Sequence, residues 1–400
     1  MLFTIIIFIL VLSVLVFVHE FGHFIVARRF GVKAEEFGFG FPPRGWGIYK
    51  SKSGKWKQVF GNKPVTDAVD TVYSLNWIPL GGFVKIKGEL GPSDGSVLGE
   101  VPELDGGEDS FWSKKIWQRV LIISAGVIMN VILAAVLLSI GYGIGLPQVL
   151  GEKLSSGAVV TGEKIQIVEI MPKTPAEEAA LQVGDIILSV EGNKFTVYED
   201  LQAFVNERLG KPLNYKIQRG GEIFDRRVTP KILGETGKPG IGVGIAETGI
   251  VSYPWYEAIY QGARSAIELI GVIIIAFYGL IKSLLMHEAV SGNVAGPVGI
   301  AVLTGQVARM GFVYLLQFTA LLSINLAVIN FLPIPALDGG RVLFLIIEKI
   351  KGKPVKRELE AIIHNIGFVI LMLFVLFITF QDVAGFKDQF IHLWQRVTGL

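Results

Sequence analysis

The sequence of 400 residues contains no cysteine and only five histidines. Without cysteine the chain can form neither a disulfide framework nor a thiolate metal site, so any metal must be held by histidine and carboxylate side chains. Charged residues are also scarce, at 18%, and the net charge of +2 gives no indication of a nucleic-acid or strongly acidic partner. Hydrophobic residues make up 51% of the chain, which is typical of an integral membrane protein with sizeable soluble parts.

The chain begins with an apolar run whose only ionisable side chains are His19, Glu20 and His23. The run is longer than the roughly 20 residues that a membrane-spanning helix needs. No basic segment precedes it, and Arg28 and Arg29 follow it. We therefore predict an uncleaved transmembrane helix, residues 1–27, whose C-terminal end lies in the cytoplasm.

The spacing of the polar side chains in this run predicts a metal site. Residues four apart project from one face of a helix, so His19 and His23 can bind one metal ion. Glu20 is adjacent and can take a proton from a metal-bound water. Burying an ionisable group in a bilayer costs roughly 2.5–3.5 kcal/mol on insertion scales, so three together need a functional reason. The alternative is a chance match in a soluble helix, or polar residues that only pack helices together.

Residues 28–113 contain no predicted span, and we expect membrane-associated β elements and an acidic loop on the cytoplasmic side. The segments Lys33–Phe41 and Thr71–Lys87 alternate in polarity and carry aromatic residues, which predicts strands. Glu89–Asp109 is rich in glycine, proline and acidic residues and is predicted to be a solvated loop. Four glycines either form turns and bulges or allow an extended peptide to bind alongside a strand edge: Gly38, Gly40, Gly81 and Gly82.

Further apolar segments complete a predicted polytopic α-helical membrane protein with four transmembrane helices. The second helix covers residues 114–145 and contains Asn130, for which an interhelical hydrogen bond is the expected role. The segment 258–286 has a strictly apolar core of about twelve residues, short for a span, and is predicted to be an interfacial amphipathic helix. The third helix, the fourth helix and a tail are predicted at 311–340, 363–382 and 383–400.

Residues 157–247 are predicted to form an inserted α+β domain. Thr174-Pro175-Ala176-Glu177 has the pattern of a helix capping box with proline at the first helical position. Strands Leu213–Gln218 and Ile223–Thr229, joined through two glycines, are predicted to form a hairpin. Together with Val183-Gly184-Asp185-Ile186-Ile187-Leu188, these patterns resemble a PDZ domain of the type associated with bacterial proteases.

Two histidines leave a catalytic zinc one protein ligand short, and Asp338 is the candidate for the third. It follows Pro333 and Pro335, which break the helix at the end of the third predicted span. That span must end on the same side of the membrane as His23 for the two residues to meet. We therefore expect the segment 258–286 not to cross the membrane.

Three patterns together resemble the site-2 protease family, in particular its bacterial regulator-of-sigma-E protease type: His19-Glu20-Phe21-Gly22-His23, the PDZ-like segment, and Asn330-Phe331-Leu332-Pro333-Ile334-Pro335-Ala336-Leu337-Asp338-Gly339-Gly340. The resemblance implies Zn²⁺ bound by His19, His23 and Asp338, with Glu20 as general base. It also implies that Asn325 and Asn330 hold the substrate backbone or polarise its carbonyl. The family's segment Ala-Gly-Pro-x-x-Asn appears with valine in place of proline, from Ala125 to Asn130.

The resemblance also sets the expected function, which is cleavage of a peptide bond in or near a membrane-spanning segment. The expected substrates are single-pass regulatory proteins, in particular anti-sigma factors, already shortened outside the membrane by a site-1 protease. We expect the chain in the bacterial cytoplasmic membrane, with an extracytoplasmic PDZ domain that screens out substrates with bulky outer domains.

Two other classes of protein remain open from the residues alone. A binding scaffold would recruit partners through the PDZ domain and hold a structural metal, and an open fourth coordination position would argue against it. A metal transporter would be expected to carry more acidic or histidine residues along several spans, whereas this sequence has one such cluster.

Overall fold

The computed structural model describes residues 2–89, 107–150, 154–155, 157–234, 237, 239–286 and 295–385. Most of the predicted acidic loop and most of the tail 383–400 lie outside these described residues. The chain folds into two compact units, Met1–Leu138 with Ala263–Leu400, and Ser139–Gly262.

The described residues form nine α-helices and eleven strands. The helices are α1 (Leu2–Arg29), α2 (Ile116–Ile144), α3 (Pro175–Glu178), α4 (Tyr198–Asn206), α5 (Trp255–Leu285), α6 (Pro297–Met310), α7 (Phe312–Phe331), α8 (Asp338–Lys351) and α9 (Arg357–Gly385). The strands are β1 (Ala34–Lys50), β2 (Trp56–Phe60), β3 (Val72–Ile86), β4 (Leu146–Val149), β5 (Val159–Ile170), β6 (Ile186–Val190), β7 (Leu213–Arg219), β8 (Glu222–Val228), β9 (Lys231–Ile232), β10 (Pro239–Gly240) and β11 (Val243–Ser252).

Five of the described helices are long and apolar enough to cross a membrane, judged by length and composition. Four of them, α1, α2, α7 and α9, coincide with the predicted spans. The fifth is α5, a continuous helix of 31 residues in the place of the interfacial helix predicted at 258–286. Its sequence contains no proline from Trp255 to Leu285, so nothing interrupts the helix. Four crossings therefore stay a prediction.

Helix α6, which the sequence patterns did not predict, contacts two of these helices, α1 and α9. A Cβ placed on Gly305 of α6 would lie 2.4 Å from Thr4 Cγ2, so glycine allows α6 to approach the N-terminal end of α1 closely. Near the end of α9, the buried carboxylate of Asp382 accepts the backbone N–H groups of Gly296 (3.1 Å) and Gly299 (2.7 Å). This carboxylate satisfies the free N–H groups at the start of α6, as an N-cap side chain would.

Strands β2, β1 and β3 form one antiparallel sheet in that order. Strand β3 folds back on itself, so that two parts of it pair with the same stretch of β1: Gly38 is opposite both Phe83 and Ser74. The predicted strands are present, and β1 continues beyond the predicted end to Lys50. Gly38 lies in the interior of the sheet between the two parts of β3, so it does not offer the strand edge that we expected there. A substrate-binding role for Gly40 stays a prediction.

Gly81 and Gly82 serve the contact between this sheet and α1. Gly81 has φ of +74°, and a Cβ there would lie 2.5 Å from Val16. A Cβ on Gly82 would lie 2.9 Å from Gly38 O and 3.3 Å from the ring of Phe17. Side chains at either position would push β3 away from α1, so these glycines hold residues 82–86 against the helix that carries His19, Glu20 and His23.

The unit Ser139–Gly262 is built on a six-stranded sheet in the order β4-β11-β5-β6-β7-β8. Its core includes Ile167, Tyr215 and Ile217, which are at most 1% exposed. Strands β7 and β8 form the predicted hairpin. The sheet begins at Leu146 and ends at Ser252, beyond the predicted bounds 157–247 on both sides, because β4 pairs with the second half of β11.

The predicted capping box at the start of α3 is wrong. The hydroxyl of Thr174 donates to Met171 O at 2.7 Å instead of accepting a helical N–H. Glu177 accepts the N–H of Lys173 at 2.6 Å, one residue before the N-cap. The start of α3 is stabilised by Pro175 at its first position and by a turn that closes on the preceding residues.

Candidate metal centre

Helix α1 presents His19 and His23 from one face, and both side chains are buried, at 6% and 7% exposure. Asp338 is the first residue of α8. Its Oδ2 lies 3.0 Å from His19 Nε2 and 3.5 Å from His23 Nε2, and the two Nε2 atoms lie 3.2 Å apart. The structure therefore brings the three predicted ligands together across more than 300 residues of sequence.

These distances fit a bound metal ion. With bonds of about 2.0–2.1 Å, two ligand atoms of a tetrahedral zinc site lie about 3.3–3.4 Å apart. Asp338 Oδ2 is buried and has no hydrogen-bond partner among the described residues, although the imidazole nitrogens are close. Two imidazoles and one carboxylate are a donor set that zinc accepts in catalytic sites, and three protein ligands leave the fourth position open.

The break between α7 and α8 sets the position of Asp338. A Cβ on Gly339 would lie 2.2 Å from Leu332 O, and a Cβ on Gly340 would lie 2.4 Å from Ile334 O. The two glycines therefore let the turn that contains Pro333 and Pro335 pack directly on the first turn of α8. This packing directs Asp338 towards α1, which explains why two glycines follow Asp338 in the sequence.

Two glycines that sequence reasoning did not assign to the site, Gly22 of α1 and Gly126 of α2, let α2 pack against the histidine face of α1. A Cβ on Gly22 would lie 2.4 Å from Ala125 O, so the two helix backbones approach closely. A Cβ on Gly126 would lie 2.4 Å from His23 Nε2 and 2.8 Å from His19 Nε2. Gly126 therefore leaves open the space next to both ligand atoms. The motif Ala-Gly in the second span was the available signal.

The second nitrogen of His23 has a partner on α2. His23 Nδ1 lies 2.8 Å from Ile122 O. A carbonyl oxygen can only accept, so Nδ1 carries a proton, and a neutral His23 then has its lone pair on Nε2, facing Asp338. Such a partner fixes the orientation and tautomer of a metal-binding histidine.

Glu20 forms a hydrogen bond with the sheet that packs against α1. Its Oε2 accepts the backbone N–H of Val84 at 3.2 Å. Val84 lies opposite Phe37 of β1, and the bond to Glu20 shows that its N–H is on the side of β3 that packs against α1. The carboxylate predicted to act as general base is thus held by the strand that lies against α1.

Residues 7–374 match the sequence profile of peptidase family M50, the site-2 protease family. The chain belongs to peptidase family M50. This site-2 protease is therefore a zinc-dependent metalloprotease and a multi-pass membrane protein. The predictions of family, enzyme class and cofactor are confirmed.

The protease is similar along nearly its whole length to named relatives. It is 31% identical over 457 residues to the regulator of sigma-W protease RasP of Bacillus subtilis, covering 95% of this chain and 98% of the relative. It is also 31% identical to the zinc metalloprotease RasP of Geobacillus kaustophilus, covering 96% and 98%. Among solved structures, the PDZ domain of an SdrC-like protein from Listeria monocytogenes matches 22% of the chain at 20% identity, with a TM-score of 0.20.

The protease positions its two predicted substrate-binding asparagines differently. Asn330 Nδ2 lies 3.5 Å from His19 Nε2, at the edge of the ligand cluster. The amide of Asn325 donates to Leu321 O, one turn back in its own helix, at 3.0 Å. The structure thus brings Asn330, but not Asn325, to the predicted metal ligands.

Two partly buried ion pairs hold the Asp338-bearing helix of the protease in place. Arg341 of α8 pairs with Glu89, just after β3, and Glu348 of α8 pairs with Arg119 of α2. The Arg119 side chain is 5% exposed and contacts both carboxylate oxygens of Glu348. Removing one partner of a fully buried pair destabilises a protein by roughly 3–5 kcal/mol, so breaking either of these partly buried pairs should cost less. Sequence reasoning missed both pairs because they join residues more than 200 positions apart.

Proposed function

We propose that this protease cleaves a peptide bond in or beside a membrane-spanning segment of single-pass regulatory proteins. The observation that carries the proposal is the buried cluster of His19, His23 and Asp338 inside a set of apolar helices. These three residues would hold zinc, which supplies a Lewis acid for the scissile carbonyl and lowers the pKa of its water towards about 7. A catalytic centre on membrane-spanning helices can act on peptide bonds that soluble proteases do not reach.

Glu20 would act as general base and then general acid. It is adjacent to His19 on α1 but is not part of the ligand cluster. Its carboxylate would take a proton from the attacking water and deliver it to the leaving nitrogen. The hydrogen bond from the Val84 N–H would fix one carboxylate oxygen and leave the other for that transfer.

The substrate would bind in extended form along residues 82–86 of β3. A helix shields its carbonyl groups in internal hydrogen bonds, so a membrane-spanning substrate must unwind locally before it is cleaved. This stretch pairs with β1 on one side, and its other side packs against α1 near Glu20. Strand addition beside the proposed base would therefore require residues 82–86 to separate from α1 when the substrate binds. Asn330 would donate its amide N–H to the scissile carbonyl, because its Nδ2 already lies beside His19 Nε2.

We further propose that the chain crosses the membrane four times, by α1, α2, α7 and α9. Two contacts support parallel directions for α1 and α7. Gly305, just before α7, lies against Thr4 at the start of α1, and Asp338, just after α7, lies beside His23 near its end. With Arg28 and Arg29 in the cytoplasm, α7 would run from the outside to the inside, as α1 does.

Helix α5 would then start and finish on the outer side. Gly262 near its start packs against Ser139, in the C-terminal part of α2, which is the outer end of that helix in this topology. The next described helix starts at Pro297 beside Asp382, at the C-terminal end of α9. A single crossing by α5 would separate these two ends, so α5 would lie along the outer interface.

The PDZ-like domain would be extracytoplasmic and would exclude substrates that still carry bulky outer domains. A site-1 protease would therefore act first. The substrates would be anti-sigma factors, since the similar RasP of Bacillus subtilis is named a regulator of sigma-W protease. A scaffold or a transporter is not favoured, because the chain belongs to a protease family.

Membrane proteomics tests this function directly. In cells that contain Glu20→Gln in place of the wild-type protein, truncated single-pass proteins that retain their membrane segment should accumulate. In wild-type cells the same fragments should disappear once the outer cut has been made. An unchanged pattern of membrane-bound fragments in the Glu20→Gln cells would contradict the proposal.

A further inference from the structure

Asn130 of α2 is a buried polar residue next to a proposed zinc ligand. Its exposure is 0%, and its side-chain Nδ2 lies 3.3 Å from His19 Nδ1. Its Oδ1 is buried with no hydrogen-bond partner among the described residues. Buried polar atoms are nearly always paired, so an amide with an unpaired oxygen beside an imidazole nitrogen requires an explanation.

The chemistry of His19 supplies the explanation. Its Nε2 faces Asp338 and His23, so Nε2 must be unprotonated to bind zinc, and the proton must sit on Nδ1. A protonated Nδ1 is a donor and cannot pair with another donor such as an amide N–H. A half-turn of the Asn130 amide exchanges Oδ1 and Nδ2 and places an acceptor opposite Nδ1.

His23 shows the same arrangement with a different acceptor. Its Nδ1 lies 2.8 Å from the Ile122 carbonyl, also on α2. Helix α2 thus places one acceptor opposite the outer nitrogen of each histidine, a backbone oxygen for His23 and a side-chain amide for His19. Partners of this kind orient metal-binding histidines and set their tautomer.

We propose that Asn130 positions His19 for zinc by accepting the proton of Nδ1 through Oδ1. The proposal rests on the proposed zinc ligands. The proposed role differs from the interhelical hydrogen bond expected of this residue. That bond is made by the backbone of Asn130, whose carbonyl oxygen accepts the hydroxyl of Ser323 of α7 at 2.7 Å. Substitution of the Asn130 side chain leaves that carbonyl in place, so the two roles can be separated.

The test is zinc affinity of the purified full-length chain, measured by competition with a chelator. Asn130→Ala should weaken zinc binding by about 10- to 100-fold, the usual effect of losing such a partner. Asn130→Asp should bind zinc within a few-fold of wild type, because a carboxylate only accepts. Ser323→Ala, which removes the interhelical bond at the same position, should bind zinc as wild type does.

Turnover at increasing zinc concentration gives a second measurement. Excess zinc should restore most of the activity of Asn130→Ala, since a weakened site fills at higher concentration, whereas a packing defect would not respond. If Asn130→Asp is not recovered folded, this titration decides alone. Absence of rescue at every zinc concentration would overturn the proposal.

His23→Ala separates this proposal from the one on which it rests. Wild-type zinc affinity in His23→Ala would refute the proposed ligand set. Loss of zinc in His23→Ala with wild-type affinity in Asn130→Ala would refute the role of Asn130 alone. Equal weakening in Asn130→Ala and Asn130→Asp would also refute it, since the acceptor would then make no difference.

Discussion

Gly126 offers the sharpest test of the geometry, because one added methyl group would meet the metal ligands directly. The Cβ of Gly126→Ala would lie 2.4 Å from His23 Nε2, whereas ordinary contact begins at about 3.5 Å. A group must therefore move by roughly 1 Å, and metal–ligand distances tolerate only about 0.2 Å. A misplacement of that size can reduce turnover on the order of 10²-fold, so we expect at least that loss, with weaker zinc binding.

The intrinsic helix propensity of alanine favours this substitution, so a loss of activity would come from the clash with the histidines and not from a weaker helix. Alanine is about 0.8–1.0 kcal/mol more favourable than glycine in a helix interior, so α2 itself should not be weakened. Gly143→Ala is the matched control, since it lies in the same helix and its added Cβ has no atom within 4 Å. The assay is zinc content and kcat/KM on a shortened single-pass substrate in detergent. Wild-type zinc content and turnover in Gly126→Ala would refute the placement of α2 against the histidines.

Three further outcomes are expected. Asn330→Ala should lower kcat by about 10²- to 10³-fold with near-normal zinc content, as for loss of a carbonyl-polarising donor, and an unchanged kcat would remove that role. Val84→Pro deletes the N–H that binds the proposed general base, and an edge strand tolerates proline. Turnover should therefore fall about 10- to 100-fold while zinc content stays normal. An equal loss of zinc would indicate a general disruption of the fold instead. The chain has no cysteine, so single cysteines report topology: at Ser252 and Ala295 they should react with an impermeant reagent from outside, and at Lys353 they should not. Labelling of the first two from opposite sides would mean that α5 crosses.

The clustering of His19, His23 and Asp338 could be predicted because the residues stand in recognisable local patterns. Helical spacing places His19 and His23 on one face whatever the rest of the chain does. Two prolines mark a helix break inside an apolar segment, and a carboxylate follows it at Asp338. Beyond these local signals, the prediction needed only that the two helices end on the same side of the membrane, and the three side chains do lie together.

The surroundings of the ligands depend on packing between distant segments and were missed. Glycine patterns cannot distinguish an edge from the interior of a sheet, and the fold-back of β3, which places Gly38 in the interior, has no local signal. The spacing of Arg341 and Glu89 contains no local signal for an ion pair. The closeness of Gly126 to the imidazoles likewise appears only when α1 and α2 are packed together.

The central claim is that three side chains bind zinc while Glu20 does not, and metal analysis of purified variants tests it most directly. Glu20→Gln should keep zinc content near the wild-type value and lose all cleavage, because the amide cannot accept the proton of the attacking water. His23→Ala and Asp338→Ala should lose both zinc and cleavage, although their apolar helices still fold. Full zinc occupancy in Asp338→Ala would contradict the account.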